Sequence, residues 1–186
     1  MAVPSKYVQS VVDAAKGRPK STAWYRNKIR EFGTPKALDL IRDGKQSRRP
    51  FFGRLNMFFY DPKLKQKLPY YDRFPLVLPL ERYTDGFLGI NFHYLPIPLR
   101  VRLLDRMVDF SNNTKFDEST RLNVSYNAIK SIRLVKPTLK RYLAGKVKSR
   151  FRRVDADEFT VATLLPVARF SKASATTVYK DSRKML

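Results

Sequence analysis

The 186-residue sequence contains no cysteine and a single histidine. Without cysteine, disulfides, zinc-thiolate sites and a thiol nucleophile are excluded. No apolar run approaches the roughly 18–20 residues of a membrane span. The first residues, MAVPSKYVQS, lack the apolar segment of a secretory signal. These absences predict a soluble protein made in the cytoplasm, with no membrane partner.

The motifs of common enzyme classes are also missing. There is no phosphate-binding glycine loop, no HExxH zinc motif and no nucleophile elbow. The one histidine, His93, is predicted to lie on a strand beside aromatic residues, which is typical of a structural histidine. Asp61, Asp72, Glu81 and Asp85 could converge on a divalent ion, but their spacing fits no metal-binding pattern. We therefore expect no enzyme activity, cofactor, metal site or small-molecule substrate, with a metal-dependent nuclease as a minor alternative.

Positive charge is abundant instead. Lys and Arg number 38 against 16 Asp and Glu, which gives a net charge of +22. Such a field attracts nucleic acid, anionic membranes and acidic proteins. The plainer interpretation is a basic surface that only prevents aggregation. Residues 1–53 and 97–186 carry nearly all of the excess, whereas residues 54–96 are close to neutral.

The hydrophobic patterns predict an α+β fold. Helical spacing and stop signals indicate three short helices within residues 5–44, followed by a basic connector, KQSRRPFFG. We therefore divide the chain into an N-terminal helical arm, residues 1–50, and an α+β core domain, residues 51–186. Further helices are predicted at about 99–110, 118–132, 137–145 and 155–165, and partly in the tail from residue 170.

The middle of the chain predicts strands. Alternation places Leu55, Met57 and Phe59 on one face of a strand over residues 54–60. A second strand passes through residues 76–78, and Asp85-Gly86 is a hairpin signal before a third strand that reaches residue 95. Pro75 and Pro79 cannot donate to a ladder, which indicates an edge strand or a bulge. We expect a small, bent antiparallel sheet or open barrel over about residues 54–95, flanked by helices.

The strongest electrostatic signal lies in residues 119–154, which hold eleven Lys or Arg and no acid. If KVKSRFRR is a strand, its even-numbered residues form a one-sided row about 6.6 Å apart, close to the phosphate spacing of a nucleic-acid strand. The alternative is an edge strand whose charges prevent aggregation. The candidate residues for binding nucleic acid or an acidic partner are Lys140, Arg141, Lys146, Lys148, Arg150, Arg152 and Arg153.

Aromatic residues are the second candidate signal. Several of them in the predicted sheet lie near basic residues and could stack on unpaired bases, although alternating aromatics on strands more often form a core. Tyr70 and Tyr71 stand between Pro69 and Asp72 in a predicted loop. We therefore expect these two side chains to be exposed and to anchor a partner protein.

The segment YDPKLKQKLPYYDRFPLVLPLERYTDGFLGINFHYLP resembles a group of basic proteins of T-even-type contractile-tailed bacteriophages. The resemblance continues through the helix after Pro98 and the segment RFSKASATTVYKDSR, but does not include the first fifty residues. It implies a phage-encoded protein that is made in the host bacterial cytoplasm and incorporated into the virion at the tail, baseplate or neck. It transfers no residue role.

Two functions follow from these observations. The leading prediction is a structural virion protein whose basic surfaces bind other virion proteins with acidic surfaces. The alternative is a non-specific DNA-binding accessory protein, related to DNA ends or packaging, that acts through phosphate contacts. Clustered Lys and Arg suit both partners, so the sequence leaves the two open.

Overall fold

The structure, a computed structural model, describes residues 46–110, 125–154, 163 and 168–186. It has the α+β fold that the sequence predicts, built on a six-stranded antiparallel sheet. The sheet contains β1 (Gln46–Ser47), β2 (Leu55–Met57), β4 (Leu76–Tyr83), β5 (Gly86–Asn91), β6 (Leu139–Leu143) and β7 (Phe151–Val154), in the order β1-β7-β2-β4-β5-β6. A separate antiparallel pair joins β3 (Tyr71–Asp72) to β8 (Phe170–Ser171).

The sheet is open, since the described strands end on β1 at one edge and β6 at the other. It is larger than the predicted range, because residues on both sides of 54–95 supply strands. The helices are α1 (Ile97–Phe110), α2 (Tyr126–Ile129), α3 (Val135–Thr138) and α4 (Ala175–Lys184), with 3-10 turns at Phe92–Tyr94 and Ala144–Lys146. None of the helices in the described ranges is long and apolar enough to cross a membrane.

The two faces of the sheet carry different cores. One face, which we call the helix face, packs against α1 and the α2–α3 region through mainly aliphatic residues: Leu55, Met57, Leu76, Leu78, Ile90, Val154, Leu103, Leu104, Met107, Ile129, Ile132 and Val135. The other, the aromatic face, carries Phe58, Val77, Phe87, Tyr142 and Phe151, with Phe51, Phe52, Tyr60 and Val147 packed beside them. This division follows from strand alternation, because neighbouring residues point to opposite faces.

Several predicted elements are confirmed. The hairpin at Asp85-Gly86 joins β4 to β5 in antiparallel register. The helix after Pro98 is α1, and the tail is partly helical, as α4. The predictions for residues 5–44, for most of 118–125 and for most of 155–165 lie outside the described residues.

Two predictions about the strands need comment. β4 lies between β2 and β5, so it is not an edge strand, and the register shift between Pro79 and Glu81 confirms the other predicted alternative, a bulge. Phe59 lies beyond β2, which ends at Met57, and it is 45% exposed, although its ring packs on Phe74 of the core cluster that contains Leu55 and Met57. Its neighbour Phe58 is buried in the aromatic face instead.

The helix predicted from Pro137 to Gly145 is also wrong. α3 ends at Thr138, and residues 139–143 form β6 against β5. The edge of β5 needs a hydrogen-bonding partner, and the strand conformation turns Tyr142 into the aromatic face. Long-range pairing therefore outweighs the local helical pattern.

Candidate nucleic-acid interface

A groove of about 640 Å³ opens beside the aromatic face of the sheet. Three segments line it. Residues 48–52 follow β1, residues 82–87 form the β4–β5 hairpin, and residues 144–151 lead into β7. Pairing of β1 with β7 brings the first and third of these segments together, and pairing of β5 with β6 adds the hairpin. The groove is thus assembled by the sheet from segments about a hundred residues apart in sequence.

The lining of the groove is strongly basic. Among the described residues, five cationic side chains line it, and all five are exposed: Arg48, Arg49, Arg82, Lys148 and Arg150. The part of the chain that the structure describes contributes no Asp or Glu to the lining. A cleft lined by one sign of charge concentrates its field and attracts ions of the opposite sign. The geometry therefore suits a polyanion.

Aromatic rings form the floor and part of the rim. Phe87 and Phe151 are almost fully buried and are held by Phe58, whose ring centre lies 6.0 and 4.8 Å from theirs. Phe52 is half-buried and Tyr83 is 42% exposed, so both present ring surface to the groove. Fixed, flat apolar surfaces beside cations are the two components of many single-strand binding sites.

Two arginines already lie over the rim aromatics. The guanidinium carbon of Arg82 is 5.1 Å from the centre of the Phe52 ring, and that of Arg141 is 3.9 Å from the centre of the Tyr83 ring. Arg141 also forms an ion pair with Asp85 at the hairpin. The Tyr83 hydroxyl donates to Glu81 at 3.0 Å, and this hydrogen bond raises its pKa. These contacts orient the hairpin end of the groove.

Only two of the seven predicted binding residues, Lys148 and Arg150, line the groove. Lys140 in β6 is half-buried with its Nζ 4.0 Å above the Tyr94 ring, and burial lowers its pKa to about 8. Arg141 is engaged by Asp85 and Tyr83 as described.

The remaining three predicted residues lie elsewhere. Lys146 is half-buried in the 3-10 turn at Ala144–Lys146, while Arg152 and Arg153 are half-buried in β7, between β1 and β2. A one-sided row over residues 146–152 does not form, because β7 begins only at Phe151. Sequence reasoning missed Arg48, Arg49 and Arg82. The segment RRPFF in the basic connector combines cations with aromatics, and this pattern could have indicated Arg48 and Arg49.

Tyr70 and Tyr71 are half-buried, and Tyr71 lies in β3 rather than in a loop. The Tyr70 ring packs 6.1 Å from Tyr94 and 6.4 Å from Phe170, measured between ring centres. Tyr71 pairs with Ser171 of β8. These tyrosines attach the C-terminal segment to the core, and their predicted role as anchors for a partner protein stays a prediction.

The histidine lies in a buried polar cluster away from the groove lining. His93 Nδ1 is 2.7 Å from Asp72 Oδ2, which also accepts from Asn91 Nδ2, and Asp72 Oδ1 accepts from the backbone N–H groups of Phe74 and Arg169. Burial opposes ionisation of Asp72, but the His93 ring and these hydrogen bonds outweigh it and lower its pKa. Burial lowers the pKa of His93. The arrangement fits a neutral imidazole that donates to a carboxylate.

The acidic residues that could have bound a metal ion have separate partners. Asp61 pairs with Lys65 at 3.0 Å, Asp85 with Arg141, and Asp72 with His93. Among the described residues, no three His, Cys, Asp or Glu side chains come together to hold an ion. The structure therefore does not bring these carboxylates together at one site.

The C-terminal helix is attached at the opposite end of β5 from the groove. Arg100, fully buried in α1, donates to the Leu95 carbonyl at 2.7 Å and to the Tyr179 hydroxyl at 2.8 Å. α4 also packs against the 3-10 turn at Phe92–Tyr94, which follows β5, whereas the groove lies at Gly86, where β5 begins. Cations on α4 are thus a natural comparison for those in the groove.

Comparisons with known proteins were made on the whole chain. A family model described as "Phage T4 terminal DNA protecting protein" matches residues 5–183. A search of curated proteins and a search of solved structures each found no match. The family match confirms the resemblance to proteins of T4-type phages and extends it over the N-terminal residues.

Proposed function

Because the chain belongs to the family of the Phage T4 terminal DNA protecting protein, we propose that it binds the ends of linear DNA and shields them. The groove between residues 48–52, 82–87 and 144–151 is the proposed contact surface. The observation that carries this assignment is the convergence of five exposed cations in one groove, to which the described residues add no carboxylate. Family and groove support the same partner.

The chemistry of the groove suits phosphate contacts. Four of its five cations are arginines, whose planar guanidinium groups bind phosphate oxygens in a bidentate manner. Such contacts position a protein on DNA without reading base sequence. Shielding of this kind needs only occupancy of the end, so we propose a non-enzymatic protein that uses no cofactor or metal ion.

The family match supports the DNA-related alternative of the sequence analysis better than its leading prediction. The printed description names terminal DNA, whereas binding to other virion proteins, and a place in the tail, baseplate or neck, have no support of their own and stay predictions. Acidic protein surfaces and phosphates would use the same cations. Direct DNA binding by the purified protein separates the two.

We predict that the double variant Arg48→Gln with Arg150→Gln weakens DNA binding and end protection. The slope of log K against log salt concentration is negative, and each lost phosphate contact reduces its magnitude by about 0.9. The slope of the double variant should therefore be shallower by roughly 1.8. The measurements are fluorescence anisotropy with a short linear duplex over a salt series, and survival of end-labelled linear DNA against an exonuclease. Lys180→Gln with Arg183→Gln on α4 removes the same charge far from the groove and serves as the matched control.

Two outcomes would contradict the proposal. If both double variants lost affinity equally, the interaction would depend on net charge and not on the groove. If the wild-type protein bound linear DNA but gave its ends no protection from the exonuclease, end shielding itself would be wrong.

A further inference from the structure

The groove has the size of a site for a small ligand. Its volume of about 640 Å³ lies within the range of roughly 300–1,000 Å³ that such sites have. An unpaired strand end is slender enough to enter with roughly one or two nucleotides.

The rim aromatics are suited to receive a base. Most rings of the aromatic face are buried against one another, but Phe52 and Tyr83 present ring surface to the groove. Every base has a flat face that stacks on such rings. The guanidinium group of Arg82, which lines the groove and lies over the Phe52 ring, can stack on a base as well.

Both platforms are held in place before any ligand arrives. The fully buried Asn56 fixes the turn that carries Phe52, because its side chain accepts from the Phe51 N–H at 2.9 Å and donates to the Phe51 carbonyl at 2.8 Å. Tyr83 is the last residue of β4 and pairs with Gly86 across the hairpin. A site that is already ordered loses less entropy when it binds.

We infer that the groove holds the unpaired terminal nucleotides of a DNA strand, with phosphates on its cations and a base stacked on Phe52 and Tyr83. The inference rests on the proposed function for its choice of DNA as partner. It implies that ends with a single-stranded overhang bind more tightly than blunt ends. A free nucleotide would bind far more weakly, because it offers fewer phosphates to the five cations.

The test uses the full-length protein and duplexes of equal length that carry a blunt end, a 5′ overhang or a 3′ overhang, each with 2-aminopurine at the terminal position. Anisotropy gives the affinity, and quenching of 2-aminopurine reports stacking of the terminal base. Loss of one stacking ring should weaken overhang binding by roughly fivefold to a hundredfold. Blunt-end affinity should fall less, because a paired terminal base is not free to stack on these rings.

The variants Phe52→Leu and Tyr83→Leu remove one ring each. Tyr83→Phe keeps the ring and loses only the hydroxyl that bonds Glu81, so it should retain the preference for overhangs that Tyr83→Leu loses. Phe59→Leu removes another exposed ring, which packs on Phe74 and does not line the groove, and should also have no effect. Thermal unfolding of each variant confirms that it is folded.

Each outcome decides the matter. Preference for overhangs that is lost in Phe52→Leu and Tyr83→Leu supports the inference. Equal affinity for blunt and overhanging ends, unchanged by either ring substitution but reduced by Arg48→Gln with Arg150→Gln, overturns it and leaves the proposed function intact. A free mononucleotide that binds as tightly as an overhang overturns the choice of a DNA strand. Failure of every DNA to bind overturns the proposed function as well.

Discussion

The two faces of the central sheet are both apolar, but different structures cover them. On the helix face, aliphatic side chains pack against α1 and the α2–α3 region. On the aromatic face, rings pack beside Phe51, Phe52 and Val147, which lie in the segments that line the basic groove. Both faces are buried cores, but only the aromatic face borders the basic groove.

The residue types explain this difference. Aliphatic side chains interdigitate with the ridges of a helix and reach high packing density. Rings pack edge to face and can build a layer from strands and turns: Phe58 contacts Tyr142 at 5.3 Å and Phe151 at 4.8 Å between ring centres. A layer of this kind leaves ring surface at its margin, where the cations of the groove begin.

The largest expected effect is on the helix face. Leu78 is fully buried in the core of that face, so Leu78→Ala should lower the free energy of unfolding by about 2–5 kcal/mol through lost burial and a residual cavity. Urea titration measures this change. DNA affinity of the folded protein should stay the same.

Leu64→Ala is the control, because Leu64 is 56% exposed and its truncation should hardly change stability. If Leu78→Ala weakened DNA binding under conditions where it is fully folded, the separation between the two faces would be wrong.

A smaller loss of stability is expected at the groove edge, where Gly86 lies against β6. A Cβ atom at this position would lie 1.9 Å from the Tyr142 carbonyl oxygen. Gly86→Ala must therefore push β5 away from β6, at a cost of about 1–3 kcal/mol. Because Gly86 lines the groove, DNA affinity should fall as well, unlike in Leu78→Ala.

Gly145→Ala makes the same chemical change where, apart from its chain neighbours, no described residue has an atom within 4 Å of the new Cβ. It should leave both stability and DNA affinity nearly unchanged, as measured by urea titration and anisotropy. Similar losses in the two glycine variants would show that contact with β6 is not the cause.

The smallest expected effect concerns pH. Burial lowers the pKa of His93 below 6.5, although Asp72 opposes the shift. The unfolded chain therefore takes up a proton near pH 6.5 that the folded chain does not, and the free energy of unfolding falls as pH drops from about 7 to about 5. His93 does not line the groove, so DNA affinity of the folded protein should not follow stability.

His93 is the only histidine, so its ring signals in an NMR titration report its pKa directly. A midpoint above 6.5 would contradict the neutral imidazole assigned to the pair with Asp72, and it would reverse the expected dependence of stability on pH.

Local patterns in the sequence predicted the elements that depend on neighbouring residues. The hairpin at Asp85-Gly86 follows from turn chemistry, and α1 follows from the spacing of Leu99, Leu103 and Met107. The local spacing of residues 139–143 predicts a helix, but these residues form a strand. Their strand conformation depends on pairing with β5, about fifty residues earlier. Pairing across such a distance leaves no local signal.

The candidate site divides in the same way. Lys148 and Arg150 stood out because they belong to a long acid-free segment, but their neighbours Arg152 and Arg153 enter β7 and become half-buried. Arg82 comes from a part of the chain that is nearly neutral, so no count of charges could find it. It reaches the groove only through the β4–β5 hairpin.

The sequence by itself determined the α+β class, the excess of positive charge and the supply of aromatic rings, because composition and short-range periodicity fix these properties. Only the tertiary structure decided which cations act together. The groove draws on three segments that the antiparallel pairings of β1 with β7 and of β5 with β6 bring side by side. Electrostatic attraction depends on distance in space, and the sheet converts distance along the chain into proximity.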